Sequence, residues 1–218
     1  DIDGQQLNFG KDAVTLTGPD GVAKVLVSMK GLPEGAQIRD FDISADGSKV
    51  AFGYTIGQTD HQTWHIRDVE SQQELLQDPI QFHSFGVMGI RFTPDGEGFV
   101  HPNWKPDGPK IPNNIIYRDL KDPSQTKTFF QGHEDMILPL EVTFLENGDA
   151  VVNTRLSYVE VPFFATVVRP TQAGFQADDK PLVPAGNIGC VVSATDDAVL
   201  MRTDALGDNY GLICVDRH

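Results

Sequence analysis

Apolar and polar residues alternate in short runs, and turn residues separate the runs. FDISADGSKVAFGY, residues 41–54, sets two such runs around Asp46-Gly47. IRFTPDGEGFVH at 90–101 does the same around Asp95-Gly96, and VTFLENGDAVVNTR at 142–155 around Asn147-Gly148. GCVVSATDDAVLMRTD at 189–204 carries Asp196-Asp197 in that place. Asp-Gly or Asn-Gly between alternating runs predicts a hairpin, whose tight turn requires positive φ at those positions.

The turns are evenly spaced. Gly47, Gly96, Gly148 and Asp197 lie 49, 52 and 49 residues apart. A second motif keeps step: WHIRDVE (64–70), IIYRDLK (115–121), TVVRPTQ (166–172) and LICVDRH (212–218). Its arginines, Arg67, Arg118 and Arg169, are 51 apart each time. Each repeat thus predicts a first strand, a tight turn, a second strand, a variable loop and a third strand. A weak fourth strand follows, at ELLQ after Glu74, TFFQ after Thr128 and GFQ after Gly174. No stretch has a convincing helical period.

A four-stranded unit repeating at about 50 residues is the signature of a β-propeller blade. One twisted sheet cannot bury both faces alone, so each blade becomes the wall of the next. The predicted class is all-β: a partial propeller of about four to five four-stranded blades. Residues 1–218 form one domain, with repeats at 1–36 (a half blade), 37–87, 88–138, 139–187 and 188–218 (incomplete). In the half blade, residues 12–30 read as third and fourth strands. The short strands also suit an immunoglobulin-like sandwich, but the long period does not.

Charge narrows the partners. Against 17 Lys+Arg stand 31 Asp+Glu, a formal net charge of −14. So negative a surface repels phosphate backbones and anionic lipid, so neither nucleic acid nor membrane is an expected partner. There is no apolar run long enough to span a bilayer and no signal-peptide pattern. The chain opens at Asp1 without Met, which suggests an upstream segment. Its compartment, cytoplasmic or periplasmic, stays open. Cys190 and Cys214 fall on a first and a third strand, about 9.5 Å apart across the strand between them, too far for a disulfide. Both read as buried core residues.

Catalytic chemistry is not legible. The eight serines (28, 44, 48, 71, 84, 124, 157, 193) lack a Gly-x-Ser-x-Gly elbow. His61 and His65 have helical metal spacing, yet on a strand they lie about 13 Å apart and cannot share an ion. DFDISADG departs from a calcium loop, with Ser44 where a carboxylate or amide belongs. No glycine-rich phosphate loop is present. No catalytic, cofactor-binding or metal-binding residue is assigned, and no cofactor is expected. One loop stands out: HPNWKPDGPKIPNN, 101–114, has four prolines and an aromatic, Trp104, available to a partner. With alternating strand directions, it shares a face with 55–62, 78–87, 131–140, 156–161, 180–188 and 204–210.

Four phrases in order carry a family resemblance: FDISADGSKVAFGYTIGQTDHQTWHIRDVESQQEL, IRFTPDGEGFVHP, NNIIYRDLKDPSQTK and DALGDNYGLICVD. Together they resemble the propeller domain of the prolyl oligopeptidase family of serine peptidases, from about residue 20 onward. The resemblance implies a seven-bladed propeller over an α/β-hydrolase domain that cleaves short peptides after proline. The propeller gates access of short peptides, and the hydrolase domain, absent from this chain, holds the triad. The family's pocket-lining propeller positions fall near Val87, Pro139 and Val159, whose residue types differ from the family's, so none is carried over. The oligopeptidase B and acylaminoacyl-peptidase branches share the architecture. The expected partners are the hydrolase domain and short peptide substrates, with possible self-association through open blade edges. The alternative is a free-standing propeller that binds a protein or peptide and catalyses nothing.

Overall fold

The computed structural model describes residues 6–10, 12–59, 61–83, 88–103, 114–132, 138–155, 163–179, 182, 189–195, 197–203 and 211–216. These residues hold strands and turns and no helix. β1 (Gln6–Phe9), β2 (Ala13–Thr17) and β3 (Ala23–Ser28) form a first, three-stranded sheet. β4 (Ala36–Ile43), β5 (Lys49–Ile56), β6 (His61–Asp68) and β7 (Ile80–His83) form the second. β8 (Arg91–Phe92), β9 (Gly98–Pro102), β10 (Asn114–Asp119) and β11 (Thr126–Gln131) form the third. β12 (Leu138–Phe144), β13 (Ala150–Arg155), β14 (Phe163–Thr171) and β15 (Gly174–Ala177) form the fourth. β16 (Gly189–Ala194), β17 (Ala198–Thr203) and β18 (Gly211–Asp216) close the series. Every sheet is an antiparallel meander, with strands paired in chain order.

Period-two alternation gives each inner sheet two apolar faces. On β5, Val50, Phe52 and Tyr54 pack against Val14, Leu26 and Val27 of the first sheet. Ala51, from the other face, joins Trp64, Ile66 and Phe82 against Ile90, Phe92 and Phe99 of the third. Val100, Ile115 and Phe129 meet Val142, Val152 and Val168 of the fourth. Val151 and Ala165 then meet Val199 of the fifth. One apolar layer thus fills each of the four gaps between successive sheets. Each fully buried Val, Ile or Phe contributes about 1.5–3 kcal/mol. This serial stacking of four-stranded meanders is a partial β-propeller.

The turns differ from the expected geometry. Positive φ occurs at Gly47 (68°), Gly96 (65°) and Gly148 (87°), but not at the Asp or Asn before them. In each, the glycine N–H returns to the carbonyl three residues back: Ser44, Thr93 or Leu145. The preceding side chain has a different task. Asp46, Asp95 and Asn147 each accept the backbone N–H two residues on, at 3.0, 3.0 and 2.9 Å. The dipeptide is therefore an Asx turn followed by a left-handed glycine.

Two further expectations are corrected. The first sheet has three strands, since β1 pairs beside β2. In the second sheet the fourth strand is β7, not ELLQ, which makes a single bridge from Glu74 to Arg67. Gln72 diverts the chain there. It sits at φ 58°, and its side-chain amide bonds Ser28 N, Leu26 O and Val69 O, tying the connection to the first sheet.

Candidate functional site

The first strands of successive sheets converge. β4 touches β8, and residues of β4, β8 and β12 line one cavity of about 320 Å³. Alternation aims Asp40 and Asp42 at the third sheet. Asp40 Oδ2 pairs with Arg91 Nη1 at 3.2 Å, and the same nitrogen donates to Ile90 O at 2.8 Å. Asp42 Oδ2 accepts the Phe92 N–H at 2.7 Å. Burial pushes the Asp42 carboxyl above the usual carboxylate range, against the Phe92 hydrogen bond and the nearby Arg91 charge. Asp46 lies beyond, at the turn. There the Ser44 hydroxyl, then the Ser48 N–H and hydroxyl, hold its carboxyl well below that range. The three carboxylates of DFDISAD thus serve three different partners.

The repeated arginine fastens the outer part of each blade. Arg67 Nε bonds Glu74, its Nη1 reaches Ser28 O at 3.2 Å, and its guanidinium lies over the Phe52 ring. Arg118 Nη1 bonds Pro123 O at 3.0 Å. Arg169 pairs with Asp178 and lies 3.7 Å from Asp149. In all three, a third-strand guanidinium holds the segment that leads into or out of the fourth strand.

Four serine hydroxyls are also structural. Ser44 and Ser48 bond Asp46, Ser71 bonds Asp68 and Ser124 bonds Asp122. His61 opens β6 at the surface, whereas His65 stacks on Phe52 and Tyr54 and bonds Glu74 at 3.1 Å. Among the described residues no three His, Cys, Asp or Glu side chains gather at one point. Cys214 is exposed rather than buried. Alternation on β18 turns Val215 toward the fourth sheet and Cys214 the other way, where the described residues place no further sheet.

The expected loop face is set by topology alone. β9 leaves its Asp95-Gly96 turn at Gly98 and ends at Pro102, so the 103–114 connection starts at the opposite end of the sheet. Trp104, Lys105, Val87 and Val159 lie outside the described residues. Pro139 pairs with Thr154 in β12 and β13. Sequence reasoning missed the cavity between first strands. Its one signal was the alternating Asp40-Phe41-Asp42, two carboxylates on one face of a first strand.

Comparison with solved structures follows this geometry. One, from a structural and mechanistic study of two prolyl endopeptidases, superposes with a TM-score of 0.73 at 22% identity, over 99% of this chain and 33% of that one. Prolyl oligopeptidase B from Galerina marginata, bound to a 35mer hydrolysis and macrocyclization substrate, gives 0.71 at 16% identity, over 94% and 33%. Oligopeptidase B from Leishmania major gives 0.66 at 12% identity, over 95% and 30%. The chain has the propeller fold of the prolyl oligopeptidases. It spans about a third of the length of these structures. No protein-family model matches it, and a search of curated proteins finds no match.

Proposed function

We propose that this chain is the non-catalytic propeller portion of a prolyl oligopeptidase-like serine peptidase. Its role is to gate access of short peptides to a hydrolase domain that another part of the protein supplies. The carrying observation is coverage: 99% of this chain aligns with one third of a prolyl endopeptidase. Ser44, Ser48, Ser71 and Ser124 add support, because the hydroxyl of each bonds a carboxylate within its own turn. A nucleophile needs an adjacent base to be activated.

The test compares the chain with its full reading frame. The chain alone should not hydrolyse a proline-containing chromogenic peptide amide. The full protein should cleave it, and deleting the propeller should extend cleavage to long, folded substrates. A reading frame without a Gly-x-Ser-x-Gly segment, in a protein that binds a partner without hydrolysis, would establish the free-standing binding module instead.

A further inference from the structure

The third repeated turn carries a carboxamide where the first two carry a carboxylate. We infer that Asn147-Gly148 is a site of spontaneous modification: the Asn147 side chain is hydrolysed to an aspartate through a ring closed by the Gly148 nitrogen. It is the only Asn-Gly pair in the sequence.

The turn sets the reacting groups side by side. Asn147 is exposed, and its Oδ1 accepts the Asp149 N–H at 2.9 Å, which folds the carboxamide back over the intervening Gly148 nitrogen. The same N–H points at the oxygen on which charge builds when Cγ is attacked, as an oxyanion donor does. Asn147 Nδ2 donates to Asp149 Oδ2 at 3.3 Å, which keeps the carboxamide in this orientation. Gly148 has no Cβ to hinder the approach. Its N–H donates to Leu145 O at 3.0 Å, so the turn opens first, a small cost at an exposed tip. The Gly148 nitrogen then gives its proton to a solvent base and bonds Asn147 Cγ. The Cγ–Nδ2 bond breaks, and that nitrogen takes a proton from water and leaves as ammonia. A second water opens the cyclic imide to a carboxyl group. In sum, carboxamide and water give carboxylic acid and ammonia, with no oxidant or reductant.

The other repeats show that the product fits. Asp46 Oδ1 takes the Ser48 N–H and Asp95 Oδ1 the Glu97 N–H, both at 3.0 Å. Gly47 and Gly96 return their N–H to the carbonyl three residues back, as Gly148 does. An aspartate at 147 thus keeps the bond to the Asp149 N–H. It exchanges the Nδ2 contact for a like charge, which Arg169, 3.7 Å from Asp149, offsets in part. The chain then carries one negative charge more than −14. Opening the imide on its other side gives isoaspartate, whose extra backbone carbon lengthens the turn and forfeits this fit.

The inference concerns this chain alone and stands whether or not a hydrolase domain accompanies it. The folded chain is incubated in mildly alkaline buffer at physiological temperature, digested with trypsin and read by mass spectrometry. The peptide from Thr128 to Arg155 should gain the mass of NH2 exchanged for OH, at a rate within about tenfold of the same chain held unfolded in guanidinium chloride. Asn147→Asp should show no such gain and should unfold near the parent's denaturant midpoint. A peptide that keeps its mass in the folded chain while the unfolded chain converts overturns the inference, because the turn then protects the asparagine. A gain that persists in Asn147→Asp also overturns it, by placing the reaction at Asn153. An Asn147→Asp chain that fails to fold, or unfolds at a much lower midpoint, shows that the aspartate does not fit the turn and overturns it as well.

Discussion

His101 lies between the Phe82 and Phe99 rings, with centroids 6.1 and 5.9 Å away, and is almost fully buried. Arg118 Nε donates to its Nε2 at 3.1 Å, so the ring proton sits on Nδ1 and is donated to Pro102 O at 2.8 Å. Burial first, and the Arg118 charge second, push its pKa down to about 3. A histidine with a depressed folded pKa binds its proton more readily when unfolded. Its neutral form therefore costs stability as pH falls below the unfolded value of about 6.5, progressively down to the folded one. Between pH 7.5 and pH 5 the loss should be about 2 kcal/mol. Urea unfolding at both values checks it: His101→Phe should be less stable at pH 7.5 yet lack this slope. Equal slopes in the two proteins would remove His101 as the cause. A neighbouring constraint is steric. A Cβ on Gly89 would collide with Trp64 and Asp40, so Gly89 lets the indole fill the gap between the second and third sheets.

At the scale of the element, the same repeat position meets different surroundings. Arg67 is nearly buried, with its side chain 10% exposed, and it links β6, the Glu74 bridge and the first sheet. Arg169 is 43% exposed and its partners belong to its own sheet. Arg67→Ala should cost about 1–3 kcal/mol, a range held down because Glu74 is itself partly exposed. Arg169→Ala should cost less than about 1 kcal/mol, as screened surface pairs do. Chemical denaturation of the two variants ranks them, and equal costs would mean that Arg67 does not join the sheets.

Both end sheets carry exposed apolar side chains. On the first sheet Leu7, Val14 and Leu16 turn inward, and the outward face holds Asn8, Thr15, Thr17 and Val25, which pairs with Thr15 and is 42% exposed, with Asn8 Nδ2 on Thr17 Oγ1 at 3.2 Å. On the last sheet Leu212 is 61% exposed beside Cys214. The amino-terminal strands do not complete the last sheet: β3 pairs with β2 and β18 with β17, in separate sheets. Self-association, proposed from the open blades, should therefore draw on both end sheets. Light scattering across a concentration series should show a mass that rises for the native chain and rises less for Val25→Lys and for Leu212→Lys. A particle that stays monomeric throughout would refute it. Apolar surface left uncovered is what draws chains together.

The sequence by itself determined the repeat, and with it the fold. Period-two alternation and turns about 50 residues apart depend on local chemistry, which a chain cannot hide. The Asp-Gly dipeptides were legible as turns, although their mechanism was an Asx turn with positive φ only at glycine. What lay between repeats was not legible. The pairing of Asp40 with Arg91 spans 51 positions, and the contact of Gln72 with Leu26 spans 46. Neither leaves a local pattern, because the partners meet only after the sheets stack. For the same reason Cys214 read as core: an alternating strand has two apolar faces, and only the stacking decides which one is covered. The cavity belongs to this second class. Its carboxylates come from β4 and from the turn after β12, and tertiary structure alone brings them to one wall.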